Sequence, residues 1–234
     1  MKNNKFIGIN NRISLNTLDT ALGEYINKSV IDKDLILKHI KELTSGENRA
    51  QKSLNNTCKI LKRNESIINK YRIYIKSDNY YDLNINDRKT LILCLFCLTY
   101  PIVYDILIIF SKGFKVQEIL NKSYLKEKLC AIYGGNRAVH IAIDEVLPLL
   151  IEMNLIKKPK RGLFSKHLNI ETKSEFLKEL VVYTDIFLSA SKNILLEDIK
   201  FKPFYDYFII KSELQYQHLV KKTSGSLGQD YLKI

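Results

Sequence analysis

The stretch NRAVHIAIDEVLPLLIEMNLIKKPKRGLFSKHLNI, residues 136–170, changes its period halfway. Up to Met153, Val139, Ile143, Val146, Leu147 and Leu150 recur at the spacing of one helix face, which predicts a helix from about Arg137 to Met153. Asn154 stops it. Beyond it, two short apolar-containing stretches flank Pro159-Lys160-Arg161-Gly162, the signal of a hairpin with a basic turn. Upstream, Gly134-Gly135-Asn136 predicts a sharp turn. Leu125, Leu129 and Ile132 predict a helix before that turn, and Val116, Ile119 and Leu120 a short helix before that.

Helix, tight turn, longer helix and basic hairpin follow one another in the order of a winged helix. The phrase Leu147-x-x-Leu150-x-x-x-Asn154-Leu155-Ile156 resembles the winged-helix pattern L-x-x-L-x-x-x-G-L-I. Asn stands in place of Gly at the left-handed position, which Asn tolerates best after Gly. A helix that enters a DNA major groove needs an exposed polar start and a packed end. Asn136, Arg137 and His140 occupy the start and are the expected base-facing residues. Lys157, Lys158, Lys160, Arg161 and Lys166 populate the hairpin, and no acidic residue lies between Asn154 and Ile170. That local charge suits phosphate contact. Asp144, Glu145 and Pro148 count against the reading: two carboxylates would face a polyanion, and a proline removes a helical hydrogen bond.

Outward from this region, Leu91–Phe110 (LILCLFCLTYPIVYDILIIF) is the most apolar run and reaches the length of a membrane span. A central Asp105 in lipid is costly, and Pro101 disfavours a helical Tyr100. Two buried helices, 88–99 and 101–112, closed by Gly113, are the expected arrangement. Leu15, Leu18, Leu22 and Ile26 predict one N-terminal helix, capped by Ser14. Ile31, Leu35, Ile36, His39, Ile40 and Leu43 predict a second, ended by Ser45-Gly46. Residues 1–13 read as a polar lead-in. Residues 47–76 read as a basic helix or helix pair, with Leu54, Cys58, Leu61 and Ile68 as its apolar edge. Arg49, Lys52, Lys59, Lys62 and Arg63 form a second basic patch there, read either as a solvated face or as an extension of a phosphate track. Ser77–Asn86 reads as a loop. A helix over 172–190 capped by Thr172, an aromatic segment Asp198–Tyr207 broken by Pro203, a last helix over 208–220 and a loose tail from Thr223 complete the chain.

Composition sets the class. Apolar residues make up 46% of 234, which excludes a disordered chain. With only 9 Gly and 4 Pro, helices joined by short loops are expected. The formal charge of +12 favours a polyanionic partner, although abundant Lys, Asn and Ile also fit an AT-rich coding bias. The N-terminus MKNNKFIGINNRIS lacks the apolar core of a signal peptide, and Cys58, Cys94, Cys97 and Cys130 read as free thiols in a cytoplasmic protein. Cys94 and Cys97 have C-x-x-C spacing, but lie in an apolar run without a second Cys/His pair. The chain has no G-x-x-x-x-G-K-[ST], no G-x-G-x-x-G and no H-E-x-x-H, and its four histidines are scattered. No catalytic residue, metal site or cofactor is expected.

Leu91–Phe110, followed by Leu149-Leu150-Ile151-Glu152-Met153-Asn154-Leu155-Ile156, resembles the BrxA family of BREX phage-defence systems. There an apolar helix pair precedes a segment ending in E-A-G-L and a hydrophobic residue. The resemblance covers about a third of the chain. It implies a small helical protein that binds DNA within a multi-protein defence complex. The connection between the two stretches is shorter here, and the region after 170 longer.

The expected fold is mainly α, a helical bundle with an embedded winged-helix module and one small β-hairpin. Its expected parts are an N-terminal helical region (1–113), the module (114–170) and a C-terminal helical region with a loose tail (171–234). The expected function is non-catalytic binding of double-stranded DNA, as a subunit of a phage-defence or mobile-element system or as a transcription factor. The alternative is a helical protein–protein interaction module without DNA. A membrane partner is disfavoured.

Overall fold

Proline has no N–H to donate and presses the preceding residue out of helical geometry. At Tyr100 the backbone accordingly turns to φ −127°, ψ 88°. The computed structural model describes residues 7–76, 79–210, 216–225 and 229–234. In it the apolar run is cut into two helices that meet at 113°. All residues from Leu91 to Cys97 are buried. Among the described residues no single helix is long and apolar enough to cross a membrane.

The chain begins with a segment that sends Ile9 and Ile13 into the core, so residues 7–13 are more than the expected polar lead-in. Helices α1 (Leu15–Lys28) and α2 (Lys33–Leu43) follow, capped by the side chains of Ser14 and Asp32. Gly46, at φ +108°, opens the way to α3 (Glu47–Arg63) and α4 (Glu65–Ile75). Between them the buried Asn64 reaches the carbonyls of Ile60 and Leu95 and the hydroxyl of Thr99. A 3-10 turn at Tyr80–Asp82 leads to α5 (Ile85–Thr99), which claims Ile85 and Asn86 from the expected loop, and to α6 (Pro101–Phe114). Next come β1 (Leu120–Asn121), α7 (Lys122–Tyr133), α8 (Arg137–Glu152), β2 (Ile156–Lys160), β3 (Leu163–Lys166), β4 (Ile170–Glu171) and α9 (Glu175–Leu188). The chain closes with β5 (Ile194–Leu195), 3-10 turns at Leu196–Phe201 and Pro203–Tyr207, β6 (Phe208–Ile209), β7 (Lys221–Ser224) and β8 (Asp230–Lys233).

The fold is therefore mainly helical, with three small sheets among the described residues. Strands β1, β3 and β2 form an antiparallel sheet in the order β1-β3-β2. Strands β4 and β6 pair in parallel, and β5-β8-β7 is antiparallel. Apolar residues from Ile9 to Leu232 join one continuous core.

Several expectations fail for identifiable reasons. Val116, Ile119 and Leu120 do not form a helix: Leu120 pairs with Phe164 in β1, while Val116 is 81% exposed. Ile132 is exposed on α7, with only Leu125 and Leu129 of that trio buried. Gly113 lies inside α6 rather than closing it. Thr172 does not cap α9. It is buried with its hydroxyl 2.8 Å from that of Thr90, and α9 starts after Ser174. Asp87 of α5 accepts from the amides of Lys173 and Ser174 at 2.8 and 3.4 Å, supplying the acceptor that Thr172 was expected to give. The helix expected over 208–220 is absent where described: Phe208–Ile209 is strand, residues 216–220 are irregular, and 211–215 lie outside the described residues. The expected loose tail forms β7 and β8, and Leu232 is fully buried.

Candidate nucleic-acid interface

The hairpin and α8 owe their placement to small residues at close contacts. A Cβ on Gly113 would stand 2.4 Å from Leu120 Cδ1, so glycine there lets β1 settle against α6. Asn121 then caps α7 by accepting from the Tyr124 amide at 2.7 Å. Leu125 and Leu129 turn inward, and Gly134, at φ +85°, reverses the chain. Asn136 caps α8 by accepting from the Ala138 amide at 2.9 Å. Asn154 takes φ +64°, the left-handed conformation expected from its place in the phrase. Gly162, at φ +76°, makes the hairpin turn with Arg161, while Pro159 and Lys160 belong to β2 rather than to the turn. The Gly162 carbonyl accepts from the Lys122 amide at 2.8 Å, which ties the tip to the start of α7.

Lys157, Lys158, Lys160, Arg161 and Lys166 are exposed. Among the described residues none of the five has a carboxylate partner. The Lys166 ammonium lies 6.0 Å from the centre of the Tyr207 ring, so it leans toward the 203–207 turn. Arg137 stands exposed at the first turn of α8. The other two base-facing candidates are partly engaged. Asn136 commits its side-chain oxygen to the cap, and half-buried His140 places Nε2 4.0 Å from Cys130 Sγ on α7.

The residues that count against DNA are handled by their surroundings. Asp144 is ion-paired with Lys122, which neutralises it locally. Glu145 points toward Arg12 and Arg49. Burial, then Asp144, raises its carboxyl above the usual range, and the two arginines pull it back. Pro148 leaves α8 continuous from Arg137 to Glu152. Glu152 pairs with Arg12 and accepts from the Leu15 amide at 2.6 Å, so the end of α8 is fixed to the start of α1.

A groove of about 1170 Å³ separates α8 from the N-terminal helices, lined by Arg12, Arg49, Lys52 and Lys89 with Ile141, Glu145 and Glu152. The second basic patch is thereby divided. Arg49 and Lys52 face this groove, whereas Lys59, Lys62 and Arg63 line a different hollow with Lys33. Sequence reasoning missed Lys33, because nothing in the spacing of α2 says that it meets α3. It also missed the two ties of Glu152, which lie on residues 137 and 140 positions away in the chain.

All four cysteines are free, with Cys58, Cys94 and Cys97 buried. Burial raises the Cys94 thiol to about 12. Among the described residues no three of His, Cys, Asp or Glu come together as a metal site. Neither a known protein family, nor a curated protein, nor a solved structure matches the chain.

Proposed function

We propose that the protein binds double-stranded DNA through residues 101–166, used as a winged helix, and that it does so without catalysis. The observation that carries the reading is the acid-free hairpin that follows α8. It holds Lys157, Lys158, Lys160 and Arg161 without carboxylate partners among the described residues, and Arg137 stands exposed at the first turn of α8. The element order α6-β1-α7-α8-β2-β3 and the strand order β1-β3-β2 support the same reading. In this reading the first turn of α8 approaches base edges with Arg137, and the hairpin neutralises phosphates. His140 and Asn136 contribute less than Arg137, since each already has a contact within the fold. The resemblance to the BrxA family extends the reading to a DNA-targeting subunit of a defence or mobile-element complex.

The test is fluorescence anisotropy with a mixed-sequence duplex over a salt series, comparing the native chain with Lys158→Glu/Arg161→Glu. The expected result is steep salt dependence, with affinity lowered and the log–log slope reduced by about 2 in the variant. No binding at low salt, or equal binding by both chains, overturns the reading.

A protein-binding module is the second reading. Val116, 81% exposed, and Ile119, 48% exposed, in the connection just before β1 favour it.

A further inference from the structure

The uncovered stripe of α8 has two edges. Successive residues lie about 100° apart around a helix axis, so Arg137 and Pro148 run along the middle of the stripe. Ile141, Glu145 and Glu152 follow one edge, and His140 and Asp144 the other; none of them is buried. The two edges meet different parts of the molecule. Asp144 pairs with Lys122, whose amide donates to the Gly162 carbonyl at the hairpin turn, so this edge is tied to the hairpin. The Glu145 edge borders the groove of about 1170 Å³, whose far walls carry Arg49 and Lys52 from the start of α3.

The charges of the groove do not cancel. Asp19 lines it but is paired with Arg88 at 3.1 Å. Glu152 is paired with Arg12, and half-buried Glu145 feels Arg12 and Arg49 together. Lys89 donates to the Met153 carbonyl at 3.4 Å. Lys52 is exposed and has neither a hydrogen bond nor an ion pair among the described residues. It stands three residues after Arg49, on the same side of α3. Glu47, the acid in the first turn of α3, is held by Lys41 at 3.1 Å. A strand that enters the groove from solvent therefore meets the exposed Arg49 and Lys52, while Glu145 lies deeper and is offset. A helix about 10–12 Å across fills a major groove about 12 Å wide, with a sugar–phosphate backbone along each of its sides. A helix that reads bases thus needs room and cations on both edges. We propose that Arg49 and Lys52 hold the second phosphate backbone of the duplex, the one that runs along the edge of α8 away from the hairpin. This rests on the reading of α8 and the hairpin as the DNA-binding elements, and it adds a contact from outside residues 101–166.

Duplex anisotropy over a salt series tests it with Arg49→Gln/Lys52→Gln, with Lys52→Gln alone, and with the charge-matched pair Lys70→Gln/Lys192→Gln, whose lysines are exposed and do not line the groove. The groove variant should bind about tenfold more weakly or worse and lower the log–log slope by about 2. Lys52→Gln, which removes a side chain without a partner and so leaves the fold intact, should lower the slope by about 1. Adding Lys158→Glu/Arg161→Glu to the groove variant should lower the slope by about 4, because the two edges meet different phosphates of one duplex. The Lys70/Lys192 pair should leave affinity and slope near the native values. If the hairpin variant loses affinity while the groove variant keeps the native affinity and slope, the second-backbone contact is overturned and the DNA reading stands. If the charge-matched pair weakens binding as much as the groove variant does, net charge is responsible and the contact is again overturned. A native chain that does not bind the duplex removes both.

Discussion

Charge is used in opposite ways around α9 and at the β2–β3 hairpin. Glu179 on α9 is fully buried, and its two oxygens accept from four successive backbone amides, those of Gln217, His218, Leu219 and Val220, at 2.6 to 3.4 Å. Asp185, one helical face away, accepts from the Tyr104 hydroxyl at 2.6 Å and from the Lys202 ammonium at 2.8 Å. At the hairpin the charges are exposed, of one sign, and without carboxylate partners among the described residues. A buried charge is tolerated only when it is well partnered, so Glu179 and Asp185 are structural. An exposed charge without a partner adds little to stability, which leaves the hairpin cations available for a ligand.

This contrast can be broken most severely at Glu179. Glu179→Leu leaves four amides without their acceptor and should lower stability by about 3 to 4 kcal/mol in denaturant unfolding, with the β5-β8-β7 sheet losing amide-exchange protection first. A loss below about 1 kcal/mol would show that water replaces the carboxylate and that the buried group is not structural. Lys202→Met removes the counter-charge of Asp185, which is only 2% exposed and keeps the Tyr104 hydroxyl alone. Since Lys202 keeps partial contact with solvent, the expected cost is about 2 kcal/mol.

Glu145 gives a smaller effect with a defined pH dependence. Its carboxyl is raised in the folded chain, so the folded state holds the proton more tightly than the unfolded one. The ionised group therefore destabilises the fold above the carboxylate range, and that cost vanishes as pH falls through it. Glu145→Gln should stabilise by up to about 0.5 kcal/mol at pH 7 and by nothing at pH 3, read from paired urea melts. The smallest effect belongs to the hairpin. Lys158→Glu/Arg161→Glu should change stability by no more than about 0.5 kcal/mol while weakening duplex binding. A large loss of stability in that variant would make the hairpin charges structural and erase the contrast.

What could be read along the chain was local. The Pro101 break, the Ser14 cap, the left-handed Asn154 and the Gly162 turn each depend on a few neighbouring residues, and all occur as their chemistry requires. The misreadings share a different cause. Leu120 has helical spacing with Val116, yet Phe164 pairs with it as a strand, 44 residues downstream. Thr172 has the chemistry of an N-cap, yet Asp87 supplies the acceptor from α5. The tail from Thr223 has the composition of a loose end, yet β5 offers Leu232 a partner in Ile194. The site residues were legible in part. The charge run 157–166 is visible in sequence, but the contacts that engage Asn136 and His140 are not.

By itself the sequence determined the start of α1 at Ser14, the break at Pro101, the left-handed stop at Asn154 and the turn at Gly162, and that one hairpin carries cations with no acid among them. Backbone sterics, capping and charge act over a few residues, so they are written in order along the chain. Only the tertiary structure decided which of the 37 cationic and 25 anionic side chains have a neighbour that neutralises or holds them. It gave Asp144 to Lys122, Glu152 to Arg12 and Glu179 to the 217–220 amides, and it brought Lys33 onto the face of α3. Whether a charge is structural or available depends on what packing places within a few ångströms of it, and those partners come from distant parts of the chain.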